Sequence, residues 1–562
     1  MSISRTEHDF AELRSNRRTL MKGAAATGVA AAGLRGFSHA GAQDASPVAG
    51  TPGGTLKLML NPSTSVDLNP IGIRTLGAFY LQSCIYDGLI QSSASWDEVE
   101  PALAETWEVS EDGLTYTFNL RQGVTWHDRE AFTSEDVLFT YHTILDPAIG
   151  SYMATDLTII EGAQAYLDGT AETISGLSAP DDNTVVFQLT ETSGPFAFST
   201  LTQHSMIPQH VWADVPAEEM VKPATWETGQ IGTGPFQFDE YIPDQYLRLT
   251  RYDDAWRGAP LLDEVLFVHV GTTPEAWGAA LEAGDLDYTQ IASTDFDRMS
   301  GIENLTIGSK PVYNVRFLAV NLQQPFLQDE RVRQAIAHAI DRVEICAQIL
   351  TYMSVPLDGL APTGFWVNEN VPAYPFDPEA AKALLAEAGW DPAQELQMSF
   401  YYADQAHMDA FSIIQQQLID VGINATVFQV DPATIPEFYY EEGAPFHIML
   451  AGFGMAPDMD EFSSLLSSDA LWPNGQNAVH YANTEVDGLF IEGRQETDRD
   501  ARKAIYDELQ MITSTELPFI PFYNLSLTAG FNNRVQNGEA IFNVWNRPYN
   551  WHIESVSVSD GA

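Results

Sequence analysis

Residues 377–430 read DPEAAKALLAEAGWDPAQELQMSFYYADQAHMDAFSIIQQQLIDVGINATVFQV, and their punctuation sets the fold class. Asp377 offers a side-chain acceptor ahead of Pro378, which suits a first helical turn, and Gly389 offers a left-handed stop, so a helix is expected between them. A strand at 396–401, a helix at 409–421 and a strand at 424–430 follow. That order is βαβ, which predicts an α/β region built on a parallel sheet.

Upstream of this stretch, Val332, Ile336, Ala339, Ile340, Val343 and Cys346 recur at spacings of three and four, which gives one apolar helix face. Before about residue 310 the texture is different. Short strand-like runs dominate at 55–60, 114–120, 184–190, 246–251 and 264–270, and LTYTFNL at 114–120 alternates most cleanly. The segment 535–551 again reads as strand. No fixed-period repeat or low-complexity tract interrupts the chain after its N-terminal region.

With 562 residues, 45% of them hydrophobic, the chain has apolar surface for more than one lobe. Its 27 Lys and Arg stand against 77 Asp and Glu, a net charge of −50. The acids are dispersed, so the charge is a property of the whole surface. Such a surface repels phosphate backbones and anionic lipid, which argues against a nucleic-acid partner and suits salty or acidic surroundings. Cys84 and Cys346 stand far apart without a CxxC partner, so neither a disulfide framework nor a zinc site is indicated.

The N-terminus carries NRRTLMK at 16–22, a small-residue run at 23–33, and Ala40-Gly41-Ala42. This pattern resembles a twin-arginine export signal with cleavage after Ala42, which makes 1–42 a signal peptide and places the mature protein outside the cytoplasm, periplasmic or at the cell surface. The run is too short to span a membrane, which takes about 20 apolar residues. No Cys follows it to carry a lipid. Residues 43–54, rich in Ala, Ser, Pro and Gly, read as a flexible leader.

A search for chemistry is mostly negative. There is no GxxxxGK[ST] loop, no GxGxxG after a strand, no HExxH and no GxSxG. His127 has an acidic neighbour in Asp128 but no positioned nucleophile, so it reads as structural. Asp458 with Asp460, and Asp285 with Asp287, alternate in a way that can face a ligand, yet in so acidic a chain they read first as solvated pairs. What recurs is aromatic residues on Pro/Gly-rich loops: Pro362 to Trp366, Gly452-Phe453-Gly454 and Leu471-Trp472-Pro473. Flat rigid side chains give apolar area at low entropy cost, so Phe365, Trp366, Phe453 and Trp472 are candidate ligand contacts, with core packing as the alternative for each.

Residues 103–128, LAETWEVSEDGLTYTFNLRQGVTWHD, are similar to the most typical segment of the family 5 extracellular solute-binding proteins, the peptide, nickel and oligosaccharide receptors of ABC importers. GTGPF at 232–236 with DAWRG at 254–258, RVRQAIAHAIDR at 331–342, residues 378–390, and IYDELQ at 505–510 leading to LPFIP at 517–521 extend the resemblance in the family's order. The resemblance implies a two-lobed, periplasmic-binding-protein-like α/β fold with a hinge. By analogy lobe I takes 55–74, 206–308 and 525–562, an extra subdomain takes 75–205, and lobe II takes 309–524. It implies a monomeric receptor without cofactor or catalysis that closes around its solute and delivers it to membrane permease subunits.

Peptide receptors of the family often carry a W-x-x-D-Y-x-D-P pattern whose first Asp pairs with the peptide's amino terminus. The corresponding stretch here, GFGMAPDMDEF at 452–462, is one residue shorter and lacks that acid. Either Asp458 takes the role or the ligand has no free amino terminus. Oligopeptide is therefore the expected ligand, with an oligosaccharide stacked on the aromatics as the alternative. Nickel is disfavoured, because no His or Cys cluster accompanies it. A secreted hydrolase using two carboxylates is the competing class, and nothing in the sequence selects such a pair.

Overall fold

The expected βαβ unit is present in the computed structural model, which describes residues 51–60, 69–71, 76–93, 98–226, 230–454, 458–542 and 552–559. The signal peptide, most of the leader, and Met455 to Pro457 lie outside the described residues.

The main sheet contains β1 (Thr55–Met59), β2 (Phe236–Ile242), β3 (Tyr246–Arg251), β4 (Glu264–Val268), β5 (Tyr288–Gln290), β6 (Leu305–Val320), β7 (Ser354–Pro356), β8 (Glu395–Phe400), β9 (Asn424–Gln429), β10 (Ile448–Gly454) and β11 (Phe519–Asn532). Their spatial order is β9-β8-β10-β6-β11-β5-β1-β4-β3-β2, with β7 added beside β11. β8 pairs in parallel with β9 and with β10, as a crossover through helices requires.

The helices that cover this end are α1 (Glu330–Ala339), α2 (Arg342–Gln348), α3 (Pro378–Ala388), α4 (Gln405–Asp420) and α5 (Arg499–Glu516). Helix α3 starts and stops where its punctuation says: the Asp377 side chain accepts from Glu379 and Ala380 N–H, and Gly389 sits at φ 70°. Helix α4 begins four residues before the expected 409, because the Asp404 carboxylate accepts from the His407 amide and caps it there.

The single helix expected through 332–346 is two helices. Ile340 is extended (φ −103°, ψ 117°) and Asp341 caps a new helix by accepting from Glu344 N–H, which turns Val343 outward to 52% exposure. Cys346 stays buried, as expected. Of the strand read at 535–551, Val535–Gln536 is strand and Gly538–Ala540 is a 3₁₀ turn, while 543–551 lie outside the described residues.

Apolar side chains gather in separate cores along the chain. One runs from Leu56 to Phe267 and is completed by Ala529, Ile541, Ile553, Val556 and Val558 near the C-terminus. Two more cover opposite faces of the β6, β10 and β11 end: Leu318 and Val320 pack with α1, α3 and α4, while Val315, Phe317 and Ala319 pack with Trp366, Tyr506 and Phe519. The strands β6 and β11 run from one region to the other, from Leu305 opposite Asn532 to Ala319 opposite Phe519, with a bulge between Pro311 and Val315.

A four-stranded antiparallel sheet (Ala104–Val109, Thr115–Leu120, Thr184–Gln188, Leu177–Asp181) carries the alternation read at 114–120. Its Phe118, Phe187 and Tyr141 rings meet edge to face. Among the described residues no helix is long and apolar enough to cross a membrane.

The segments that carried the resemblance are posts of this fold. Buried Asp87 accepts from Thr233 Oγ1 and Trp256 Nε1, both at 2.9 Å, and from Arg257, so it joins GTGPF to DAWRG. His127 Nε2–H donates to the Gly234 carbonyl at 3.0 Å while Nδ1 accepts from Gly232 N–H at 3.2 Å, which makes it structural and neutral. At the other end of the sheet, Arg534 donates two bonds of 2.6 Å to buried Asp287 and a third to the Thr55 carbonyl. Asp287 is thus an ion-pair partner, in contrast to the solvated pair expected with Asp285.

Candidate ligand-binding site

The strands β8, β9 and β10 all end on the side where β6 begins its run through the second region, so their loops open at one edge. In parallel sheets that carboxyl edge is where ligands bind. A lateral row of side chains lies there. Arg316 on β6 is directly opposite Tyr523 of β11 on one side and Gly452 of β10 on the other.

Gly452 makes room for the guanidinium, since a Cβ at that position would come within 2.7 Å of both Cδ and Cζ of Arg316. Beyond it, the Tyr402 ring lies 5.5 Å from the Arg316 guanidinium. His407, from the first turn of α4, stacks on Tyr402 at 4.3 Å. Its Nδ1–H donates to Asp404, and its Nε2 accepts from the Tyr523 hydroxyl at 2.8 Å. Burial alone would raise the Asp404 carboxyl, but the His407 bonds overcome it and hold the group below its ordinary range. The Tyr523 and Tyr402 phenols are both pushed up by burial.

From this row an aromatic arc leads outward. The Tyr401 and Tyr402 hydroxyls are 3.1 Å apart, and the Tyr440 ring stacks on Trp472 at 5.3 Å. Trp472 is 46% exposed, so of the expected contacts it is the one most open to a solute. Phe453 is half-buried on the opposite face of β10 from the arginine row and packs against Phe462 at 5.3 Å.

Asp458 and Trp366 are placed differently from the sequence expectation. Asp458 is wholly buried, with its two oxygens 2.7 and 2.9 Å from Arg502. The Trp366 ring is 1% exposed and faces the Arg502 guanidinium at 5.4 Å. Together they form an internal ion pair roofed by an indole. Asp460, read with Asp458 as a solvated pair, is instead held by Arg494 at 3.0 Å.

Phe365 is half-buried against Trp366 and carries the Arg499 guanidinium on its face at 3.8 Å, and the same guanidinium reaches the Phe198 ring. Gly194 N–H donates to the Arg494 carbonyl at 2.8 Å, so residues 190–198 touch the 494–502 segment. A carboxyl group at this contact is strongly perturbed. Glu461 is pushed up to about 8, by burial first and then by Asp458, Asp156 and Asp460. Among the described residues no group of three or more His, Cys, Asp or Glu is arranged to hold a metal ion.

Sequence reading missed Arg316, Tyr401, Tyr402, His407 and Tyr440. The signals were an Arg inside an apolar strand, a Tyr pair just after one, and a Gly where a strand would carry a side chain.

A mixed α/β fold with polar and aromatic groups gathered at a carboxyl sheet edge is an arrangement that suits the binding of a small solute. The model for bacterial extracellular solute-binding proteins, family 5 middle, matches residues 98–474, and the chain belongs to that family. It is 30% identical over 459 residues to a putative ABC transporter peptide-binding protein of Brucella ovis, covering 81% of this chain and 84% of the relative. It is also 30% identical over 466 residues to the dipeptide-binding protein of Escherichia coli, covering 79% of this chain and 84% of the relative. The crystal structure of the ABC transporter substrate-binding protein CtaP from Listeria monocytogenes superposes with a TM-score of 0.80 at 25% identity, over 91% of this chain and 100% of that one. The protein is accordingly the extracytoplasmic substrate-binding component of an ABC importer, a transport receptor and not an enzyme.

Proposed function

We propose that this receptor captures an oligopeptide between two lobes and delivers it to membrane permease subunits, acting as a monomer. The observation that carries the peptide reading is the 30% identity, over about four-fifths of the chain, to proteins named for peptide binding. The lobes follow the division 55–74, 206–308 and 525–562 against 309–524, with 75–205 as the extra subdomain. The separation of the cores along the chain supports it. Export uses the twin-arginine signal, with cleavage after Ala42.

Within the cleft, Trp472, Phe453 and Phe365 present aromatic surface to the ligand. Trp366 and Asp458 act through Arg502 by fixing the loops around it. The saccharide alternative draws on the same aromatic faces, chiefly that of the half-exposed Trp472.

Native mass spectrometry of gently purified protein separates the readings. A spread of peptide masses in the bound fraction is the expected result, and a single carbohydrate mass would replace peptide with saccharide. The same spectrum reports the N-terminus, where a retained Met1 would sink the export proposal.

A further inference from the structure

We propose that the contact between the 190–198 and 494–502 segments is a closing latch whose strength depends on protons, so that the receptor shuts more readily as its surroundings turn acid. The inference rests on the two-lobe reading above, in which the first segment belongs to the extra subdomain and the second to lobe II.

Each segment is fixed to its own side. The Tyr116 hydroxyl donates to the Ser193 carbonyl at 3.2 Å, which holds 190–198 to the four-stranded sheet. Opposite, Arg502 donates to the Gly493 carbonyl at 2.7 Å and pairs with Asp458. Between them, Gly194 N–H donates to the Arg494 carbonyl, and the Arg499 guanidinium lies over Phe198 of one side and Phe365 of the other. So close an approach needs glycine at 194, because a Cβ there would stand 2.7 Å from Arg502 Cδ and closer still to the Glu496 carbonyl oxygen. A main-chain hydrogen bond and a shared guanidinium make a contact that can part and re-form whole.

Carboxylates from both sides meet at this contact. Asp458 and Asp460 are answered by Arg502 and Arg494, and the Tyr506 hydroxyl reaches Asp460 at 3.4 Å. Glu191, on the first segment, faces Arg494 as well. Glu461, and Asp156 from the subdomain turn Tyr152–Leu157, face these acids, and among the described residues no cation answers either. Burial first, and then Asp458, Asp156 and Asp460, push Glu461 up to about 8. Asp156 is pushed up too, by burial and then by Asp460. Glu461 is half-buried and Asp156 reaches the surface, so both exchange protons with solvent.

Parting the segments carries Asp156 away from Glu461 and Asp460 and admits water, which returns Glu461 towards the ordinary carboxylate value. The closed form therefore holds a proton that the open form gives up. Because the closed value is the higher one, the advantage to closure is complete below about pH 4.5 and is lost as pH rises through about 8. Within that window each pH unit changes the ratio of closed to open by up to about tenfold. Ligand capture, which closes the lobes, is thereby linked to uptake of a proton.

The test follows the ligand-free, full-length protein with a fluorescent donor and acceptor on Thr173→Cys and Thr484→Cys, exposed positions on the two sides. The native Cys84 and Cys346 are buried and stay unlabelled. Energy transfer is read from pH 9 to pH 6. The closed-to-open ratio of this labelled parent is expected to rise at least about tenfold on acidification. Glu461→Gln, which fixes the neutral form, should stay closed and change by less than about threefold. Gly194→Val, which wedges the contact apart, should stay open throughout.

A ratio that ignores pH while Gly194→Val opens the protein overturns the proposal, as does a Glu461→Gln protein that keeps the parent's response. If Glu461→Gln fails to fold, Asp156→Asn decides from the opposite side: it should move the transition to lower pH, and an unmoved transition overturns the proposal. Equal transfer in Gly194→Val and the parent is a different failure: it removes the two-lobe reading and the inference with it.

Discussion

Replacing Asp458 by Asn leaves the Arg502 guanidinium buried without a counter-charge, and breaking one partner of such a pair costs about 3–5 kcal/mol. Removing the Trp366 ring opens a cavity beside the same guanidinium, at a similar cost of about 3–5 kcal/mol. Both Asp458→Asn and Trp366→Ala are therefore expected to lower the urea midpoint of the ligand-free protein. An unchanged midpoint with lost ligand affinity would instead return these two residues to direct contact. The two roles look alike in sequence, because an acid and an indole on a loop read the same whether they face a solute or an arginine.

At the scale of elements, His127 ties the 232–236 turn to the 124–132 turn, and its environment works against protonation. Burial lowers its pKa to about 4, against the opposing pull of Gly234, Asp87 and Asp128. Because the folded value lies below the unfolded one, this contribution is complete above about pH 6.5. It is lost as pH falls from there towards 4, and the integrated effect is about 3 kcal/mol. His127→Gln is expected to unfold less steeply with acid across that window than wild type. Parallel stability profiles from pH 7 to pH 4 would contradict this account.

The elements themselves were largely legible. The start and stop of α3 rest on Asp377, Pro378 and Gly389, which act within a few residues of where they stand. The break at Ile340 was missed because apolar spacing continued through it while Asp341, a cap, read as one more polar position. The candidate site at the carboxyl edge of the sheet was legible only in outline. Arg316, Tyr402, Gly452 and Tyr523 come from four separate places in the chain and meet through sheet register, which no local pattern encodes.

For the molecule as a whole, a net charge of −50 repels itself, and that repulsion opposes the compact state. Salt shortens the reach of the repulsion, from a Debye length of about 30 Å at 0.01 M to about 3 Å at 1 M. The melting temperature is therefore expected to climb steadily with NaCl across that range at neutral pH. A flat or falling curve would mean that the close Arg and Lys ion pairs among the described residues, which salt weakens, outweigh the long-range term.

The clasp of Arg534 on Asp287 and on the carbonyl of Thr55 links residues 479 positions apart. It also sets an order of events on the ribosome. β1 is made early, yet β11, which lies on the far side of β5 in its sheet, and the Val556 and Val558 side chains of its core are translated only after the helices and strands of the second region that precede them. The first region cannot finish before the second has been synthesised, so the nascent chain spends most of its translation with that sheet open on one side. Contacts of such long sequence separation fold slowly and leave unpaired edges exposed meanwhile. A ribosome stalled anywhere before residue 519 would hold a chain whose main sheet still lacks the strand that joins its two regions.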